Sequence, residues 1–360
     1  MANIISIGTA LPANCHPQSD ILSFMQKAYK LDEAEARKLA FLYRHSDIKQ
    51  RYSVIEDFCK TEDEWEFVQA NGHGNPTLND RMKIFHLHAL SLSVGAINNC
   101  INNIIDARQI THLITVSCTG MSAPGLDLEV AEALDLSPNV FRTSVNFMGC
   151  YAAIHALKIA KMICDSTASA NVVIVCTELC TIHFQQEYTP DNAASSLLFA
   201  DGSAAVLVSN SISSSKCLKL KSFYSEVAYK GKTDMSWQLS NDGFLMTLSA
   251  YIPQLIKEDI NCFAQKALQA ANIKQDKITH WCIHPGGRKI LEVIQAKLSL
   301  TDQHLSYSKN VLSEFGNMSS PTILFILKQM LHDLNGSPAN VFGIAFGPGL
   351  TMETFIASKE

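Results

Sequence analysis

Apolar residues form short alternating or unbroken runs at 3–9, 112–118, 171–177, 203–209, 279–284, 340–346 and 351–357, and these runs predict β-strands. Between most of them the apolar spacing changes to three and four residues. Residues 84–109 show this through Phe85, Leu87, His88, Leu92, Ala96 and Ile97, and 151–164, 250–272, 287–298 and 321–334 show it again, so each predicts a helix. Strands alternating with helices argue for an α/β protein whose crossover connections build layers.

The pattern also repeats itself. Ile110-Thr111-His112-Leu113, ahead of Ile114-Thr115-Val116, is matched by Ile278-Thr279-His280-Trp281 ahead of Cys282-Ile283-His284, an offset of 168. Asn171-Val172-Val173-Ile174-Val175 matches Asn340-Val341-Phe342-Gly343-Ile344 at an offset of 169. Asn146-Phe147-Met148-Gly149-Cys150-Tyr151-Ala152-Ala153 is echoed by Glu314-Phe315-Gly316-Asn317-Met318-Ser319-Ser320, which sets Asn317 where Cys150 stands, at 167. Solenoid repeats run about 20 to 50 residues, so self-similarity at this distance reads as a duplicated half-domain. Ser209-Asn210-Ser211-Ile212-Ser213-Ser214-Ser215 has the most loop-like composition and lies between the copies, dividing the chain into 1–210 and 211–360. No long Pro- or Gly-rich linker separates them, so the halves are expected to form one body.

A chain of 360 residues with 47% hydrophobic and 18% charged positions is rich in core and poor in solvated surface. Part of that excess suits burial against a second subunit. The net charge of −5 gives no general attraction to nucleic acid or anionic lipid. No run reaches the roughly 20 apolar residues of a membrane span, and the first nine residues read as a strand without the basic flank of a secretory signal. Eleven cysteines at irregular spacing suit a reducing cytoplasm better than a disulfide framework. Cys176 and Cys180 lack a second Cys/His pair at ligand spacing, so no metal site is expected.

Gly149-Cys150 follows a strand-end turn and precedes a helix starting near Tyr151, where a thiol is expected to ionise toward the thiolate. If a pseudo-twofold relates the halves, their equivalent turns face each other and bring Asn317 toward Cys150. His284 ends a strand on the same side of the second half, with Pro285, Gly286 and Gly287 shaping the turn after it. A thiol, an imidazole and an amide converging on one point permit acyl transfer: the cysteine carries the acyl group, the histidine pairs with the thiolate, and the amide NH₂ donates to an oxyanion.

The phrases Gly149-Cys150-Tyr151-Ala152, Ile283-His284-Pro285-Gly286-Gly287, Glu314-Phe315-Gly316-Asn317-Met318-Ser319-Ser320 and Phe346-Gly347-Pro348-Gly349-Leu350-Thr351-Met352-Glu353-Thr354 resemble those of the type III polyketide synthases, the chalcone synthase superfamily. The resemblance runs along essentially the whole chain. It implies a thiolase fold, with duplicated βαβαβ halves in α/β/α/β/α layers. It also implies a homodimer, and repeated decarboxylative condensation of malonyl-CoA onto an acyl-CoA starter held on Cys150, with no bound cofactor. His284 and Asn317 would bind the malonyl thioester carbonyl, and Phe199 falls at the family's gatekeeper position between CoA tunnel and cavity.

Departures from the family pattern bear on substrate. Met246 replaces a second gatekeeper phenylalanine common in plant enzymes, and Trp237 replaces a cavity-wall glycine. Thr119, Ala123 and Cys180 take other wall positions, and the small Ala123 and Cys180 resemble bacterial relatives that admit fatty acyl starters. Each buried methylene of such a starter contributes roughly 0.8 kcal/mol. An alkylpyrone or alkylresorcinol product is therefore expected, although Cys118 resembles a cysteine of bacterial enzymes that prime with malonyl-CoA and make tetrahydroxynaphthalene. Arg44, Lys49 and Arg51 form a basic cluster suited to CoA phosphates. Ketoacyl-ACP synthase III and hydroxymethylglutaryl-CoA synthase are competing thiolase-fold readings. A papain-like hydrolase, also ordered Cys, His, Asn, lacks its Cys-Gly-Ser-Cys-Trp context here.

Overall fold

The computed structural model describes residues 1–68, 75–212, 214, 217–334 and 338–359. Its first half contains β1 (Asn3–Ala10), β2 (Asn14–Pro17), α1 (Gln18–Ala28), α2 (Glu33–Arg44), β3 (Gln50–Ser53), α3 (Leu78–Ile101), β4 (His112–Ser117), α4 (Leu126–Ala133), β5 (Phe141–Asn146), α5 (Ala152–Ser166), β6 (Asn171–Leu179), α6 (Pro190–Leu198) and β7 (Asp201–Ser209). The second contains β8 (Leu218–Val227), β9 (Met235–Ser240), β10 (Gly243–Leu248), α7 (Ile252–Ala270), β11 (His280–Ile283), α8 (Arg288–Lys297), α9 (Ser306–Phe315), α10 (Thr322–Asp333), β12 (Ala339–Gly347) and β13 (Thr351–Lys359). Within the interval 209–215 chosen as the half boundary, residues 213 and 215 lie outside the described residues.

Side-chain alternation along the buried strands sorts the core into layers, because successive residues face opposite sides of a sheet. Ile114, Val172, Ile174 and Val206 join one core with α5 and α10, whereas Leu113, Val173, Val175 and Leu207 join another with α3 and α4. In the second half Cys282, Val341 and Phe355 enter the same α5/α10 core, and Trp281, Ile283, Phe342 and Ile356 face α7 and α8. The result is helix, sheet, helix, sheet, helix, with α5 and α10 as the shared middle layer. In the first half β1, β7, β6 and β4 lie in that order, and β8, β13, β12 and β11 repeat it with the same parallel and antiparallel pairings. β1 meets β8 at Asn3–Lys219 and Ile4–Leu218, joining both into a nine-stranded sheet.

The duplication is incomplete. β5 continues the first sheet beyond β4, but the second has no described strand beyond β11, and α9 instead leads into the Asn317 turn. β5 reads Phe-Arg-Thr-Ser-Val-Asn and is mostly exposed, so it lacks the apolar signature of a strand. The helix expected over 84–109 runs over 78–101: Thr77 and Asp80 form a capping box at its start, and Asn103, at φ 57°, marks the turn that ends it.

α3 is the described helix that comes nearest to a membrane-length segment. It has 24 residues and a mean hydropathy of 1.3 over its most apolar window, long and apolar enough to cross a bilayer by length and composition. Histidines and serines break up its apolar run, which is why counting consecutive apolar residues passes over it. Here it lies on the sheet, with Ala96 and Ile97 buried against the face that presents Ile5 and Val175. Gly8 of β1 allows the approach, since a Cβ there would stand 2.2 Å from Ala96 O and 2.3 Å from Cys100 N. Gly8→Ala must therefore push helix and sheet apart. We expect a loss of about 2 kcal/mol or more, read as a lower denaturant midpoint at unchanged slope.

Candidate active site

Two turns carry the reactive residues, and they share one backbone device. Gly149, just before Cys150, has φ 78°, and Gly316, just before Asn317, has φ 68°. Both conformations favour glycine, and both positions are crowded. A Cβ at Gly149 would meet Pro348 Cδ at 2.3 Å, and one at Gly316 would meet Arg51 Cγ at 2.8 Å. Asn317 is then fixed by its main chain, donating to Leu198 O at 3.0 Å and accepting from Ala200 N at 2.9 Å. Its side-chain Oδ1 accepts from Ser319 N at 2.8 Å and Thr322 Oγ1 at 3.4 Å. With the amide oxygen committed, the NH₂ is the end left to act.

His284 follows β11 and holds its place through its own N–H, which donates to Ile344 O at 2.9 Å. The imidazole is buried, and neither ring nitrogen has a hydrogen-bond partner. Burial pushes its pKa down to about 3, so the ring is neutral, with one N–H and one lone pair unspent. Cys150 Sγ lies 3.5 Å from Ser319 Oγ. Part of its surface opens to the cavity, but that cavity is deep, and poor solvation pushes the thiol up to about 11. The negative field of Glu178 acts in the same direction, while Ser319 and Asn317 oppose it. This corrects the expectation of a thiolate in the resting site: a helix terminus does not offset desolvation of this depth, and Cys150 sits inside a tight turn over 149–151 ahead of α5.

Cys150, His284 and Asn317 line one cavity of about 90 Å³, with Phe199, Met246, Trp237, Thr119, Cys180 and Cys118 around them. Phe199 bridges to Asn317 through the main chain. Trp237 and Met246 are cross-strand partners on β9 and β10, and the indole N–H donates to Cys118 O at 2.7 Å. Cys118 Sγ accepts from Gly149 N at 2.9 Å and so touches the turn that carries Cys150. Ala123 is not on this wall. Thr119 is drawn inward by Glu178, and the chain then turns outward, leaving residues 121–124 exposed.

The basic cluster also comes apart. Arg44 is exposed at the end of α2, Lys49 is exposed and paired with Glu314 at 3.2 Å, and Arg51 is buried on the cavity wall. The strand pairing of Arg51 with His16 turns its side chain inward, which a count of nearby basic residues does not reveal.

Sequence reasoning missed Glu178 and His183. Glu178 is a lone acid inside an apolar strand run, and that was its available signal. Its Oε2 accepts from Cys118 N at 2.8 Å and Thr119 Oγ1 at 2.9 Å, and its Oε1 accepts from Ser320 Oγ at 2.6 Å. His183 Nε2 meets Thr119 O at 2.7 Å, and its Nδ1 accepts from Phe244 N at 3.1 Å, which sets the tautomer. It stacks on Phe244 and meets Trp237 edge-on, bracing that wall.

Desolvation raises the Glu178 carboxyl from 4.5 to about 7 against these hydrogen bonds. Between those values the native state keeps a proton that the unfolded chain has released, so stability falls as pH rises through that window. Glu178→Gln can keep its carbonyl on Cys118 and Thr119 while its NH₂ donates to Ser320. We expect this variant to fold and to lose a pH 4.5–7 stability slope on the order of 2–3 kcal/mol, as followed by denaturant unfolding at several pH values.

Known proteins fall in line with this geometry. Residues 1–211 match the family model of the N-terminal domain of chalcone and stilbene synthases, and residues 219–359 match that of the C-terminal domain. The chain is 28% identical to type III polyketide synthase C of Arabidopsis thaliana, over 99% of this chain and 94% of that one. It is also 28% identical to type III polyketide synthase A of the same plant, over 98% and 91%. Among solved structures, PKS-I of the brown alga Ectocarpus siliculosus superposes with a TM-score of 0.93 at 27% identity, covering 100% of this chain and 98% of that one. The C-terminal type III polyketide synthase domain of Steely1, a type I/III hybrid from Dictyostelium, superposes with a TM-score of 0.90 at 26% identity, covering 99% of each. With both halves matched in order and the thiolase layers reproduced, the chain belongs to the chalcone and stilbene synthase family, the type III polyketide synthases, which are condensing acyltransferases.

Proposed function

We propose that this chain condenses malonyl-CoA repeatedly onto a fatty acyl-CoA starter carried on Cys150, releasing an alkylpyrone or alkylresorcinol. The observation that carries this reading is the single cavity on which a thiol, an unpartnered neutral imidazole and an amide with its oxygen already engaged meet. The Cys150 proton passes to His284, and the thiolate attacks the starter thioester, expelling CoA. Malonyl-CoA then binds with its thioester carbonyl accepting from His284 and from the Asn317 NH₂. Loss of carbon dioxide leaves the bonding pair as an enolate. The enolate carbon attacks the Cys150 thioester and regenerates the thiolate, so no bound cofactor enters the cycle. We take 1–210 as the half that carries the nucleophile and 211–360 as the half that carries both donors.

The starter's alkyl chain is assigned to the side of the cavity formed by Met25, Phe58, Phe184 and Leu198, away from the Trp237 wall. Polar groups there are turned to their own backbone. Ser195 Oγ donates to Asp191 O at 2.8 Å, Ser196 Oγ to Ala193 O at 2.9 Å and Asn192 Nδ2 to Glu187 O at 2.8 Å. The remaining surface is apolar enough for methylenes. A homodimer through β5 is proposed as well, since this strand is a free sheet edge with Phe141 72% exposed. All eleven cysteines are unpaired, which suits a cytoplasmic enzyme.

Products from malonyl-CoA with starters from acetyl- to palmitoyl-CoA, read by mass spectrometry, should peak with long chains. Product from malonyl-CoA alone would transfer the assignment to a malonyl-primed synthase, a reading that Cys118 on the cavity wall keeps in view. Cys150→Ala should make no condensed product. Ser195→Phe should lower kcat/KM for palmitoyl-CoA by about tenfold or more, the worth of roughly two unburied methylenes, while sparing acetyl-CoA. An equal loss for both would remove the alkyl arm. In the wild type, alkylation of Cys150 by iodoacetamide should be slow at neutral pH and rise as pH approaches 11. Acyl transfer from the starter to Cys150 at neutral pH, read by mass spectrometry of the intact protein, should be lost in His284→Gln, and acylation surviving that change would show that His284 does not take the proton.

A further inference from the structure

Arg51 is set apart from the exposed Arg44 and Lys49 by its burial. It is 2% exposed and lines the cavity that holds Cys150, His284 and Asn317. Its Nε donates to Gln18 Oε1 at 2.9 Å and its Nη1 to Phe199 O at 2.5 Å, both neutral acceptors. Nη2 has no hydrogen-bond partner. Asp201 contributes a favourable field but spends its oxygens on Val54 N, Thr181 N and Thr181 Oγ1. Tyr43 hydrogen-bonds the guanidinium as a neutral hydroxyl, adding a dipole and no charge, and its oxygen also meets Ser196 Oγ at 3.3 Å.

An arginine keeps its proton in proteins, and a buried cation without a counter-charge is costly. Arg51 cannot relieve that cost by swinging outward, because its Cγ and Cδ fill the space beside Gly316, under the Asn317 turn. A fully buried cation whose direct hydrogen-bond partners are all neutral oxygens, on the wall of a reaction cavity, favours an anionic oxygen from the ligand.

We infer that Arg51 Nη2 is a subsite for an enolate oxygen of the growing β-keto chain. The inference rests on the polyketide reading above. Each condensation leaves a methylene between two carbonyls. Such a methylene releases its proton to water readily, and the charge that remains is shared by the flanking oxygens. The malonyl carboxylate is a poorer match: a charge-assisted bond to it would stabilise the state that must lose carbon dioxide, and so would slow the step. Binding at Arg51 instead holds one chain oxygen beside Phe199 while the thioester end stays on Cys150.

The test uses 4-hydroxy-6-heptyl-2-pyrone, whose ionised hydroxyl imitates the enolate, and its 4-methyl ether, which cannot ionise. Calorimetry at pH 8 on the wild-type enzyme should show the hydroxypyrone binding about tenfold or more tighter than the ether, the usual worth of a charge-assisted hydrogen bond. In Arg51→Gln that ratio should fall toward one while the affinity for the ether is retained. Equal affinities in the wild type, or a ratio unchanged by Arg51→Gln, would overturn the inference. If Arg51→Gln does not fold, a crystal structure of the wild-type complex decides: a pyrone oxygen within hydrogen-bond distance of Nη2 supports the subsite, and one held elsewhere removes it. A carboxylate source is separated by octanoate, which should bind less tightly than the hydroxypyrone if the β-keto pattern matters; equal or tighter binding would remove the enolate assignment. Failure of the polyketide reading looks different, because the enzyme would then yield no condensed product with any starter.

Discussion

One buried carboxylate ties the two halves together at the reaction centre. Glu178 reaches from β6 to hold Cys118 and Thr119 of its own half with one oxygen and Ser320 of the other half with the second. Those three contacts set the loop that supports Gly149 and the turn that follows Asn317. Burial opposes the charge while the hydrogen bonds favour it, and their balance leaves the group poised near neutrality. Buried polar networks of this kind are costly when incomplete and specifying when satisfied. The separation of Cys150 from Asn317 therefore depends on a group that is neither nucleophile nor donor.

The same economy explains the glycines. Two turns related by the duplication must bring side chains from opposite halves to a single point, and the middle layer of α5 and α10 leaves little room for it. Left-handed backbone at Gly149 and Gly316 turns each chain sharply, while Pro348 and Arg51 occupy the volumes that side chains there would need. Symmetry ends at the functional residues. One copy keeps a thiol and the other an amide, and the second half gives up its fifth strand for α9, which enters the Asn317 turn from a different direction.

Much of the architecture was legible because buried strands carry their own periodicity. Ile114, Val172 and Val206 alternate with Leu113, Val173 and Leu207, so apolar runs mark both strand and layer. β5 escaped because an exposed edge strand has no such runs. Cys150, His284 and Asn317 were legible through the internal repeat and the phrases around them, and the cavity gathers all three. Ala123 and Arg51 were misplaced for opposite reasons. A loop can turn a small apolar residue outward, and a two-residue strand register can turn a cation inward. Neither orientation is written in composition or local spacing.

The ionisation states of the site illustrate why depth matters as much as identity. A thiol, an imidazole and a carboxyl within one poorly solvated region all shift toward their neutral forms, at about 11, about 3 and about 7. A resting site without net charge is cheap to bury, and it can still create charge by moving one proton from Cys150 to His284, since each ion then stabilises the other. Arg51 is the exception, because a guanidinium cannot become neutral by giving its proton away at physiological pH. Its charge is paid for by the fold in the empty protein, and it strengthens whichever bound state brings a negative oxygen to it. A cavity otherwise tuned to neutrality thus favours the ionised chain over its neutral precursor, holding that chain by its charge while its thioester end stays on Cys150 to meet the malonyl-derived enolate.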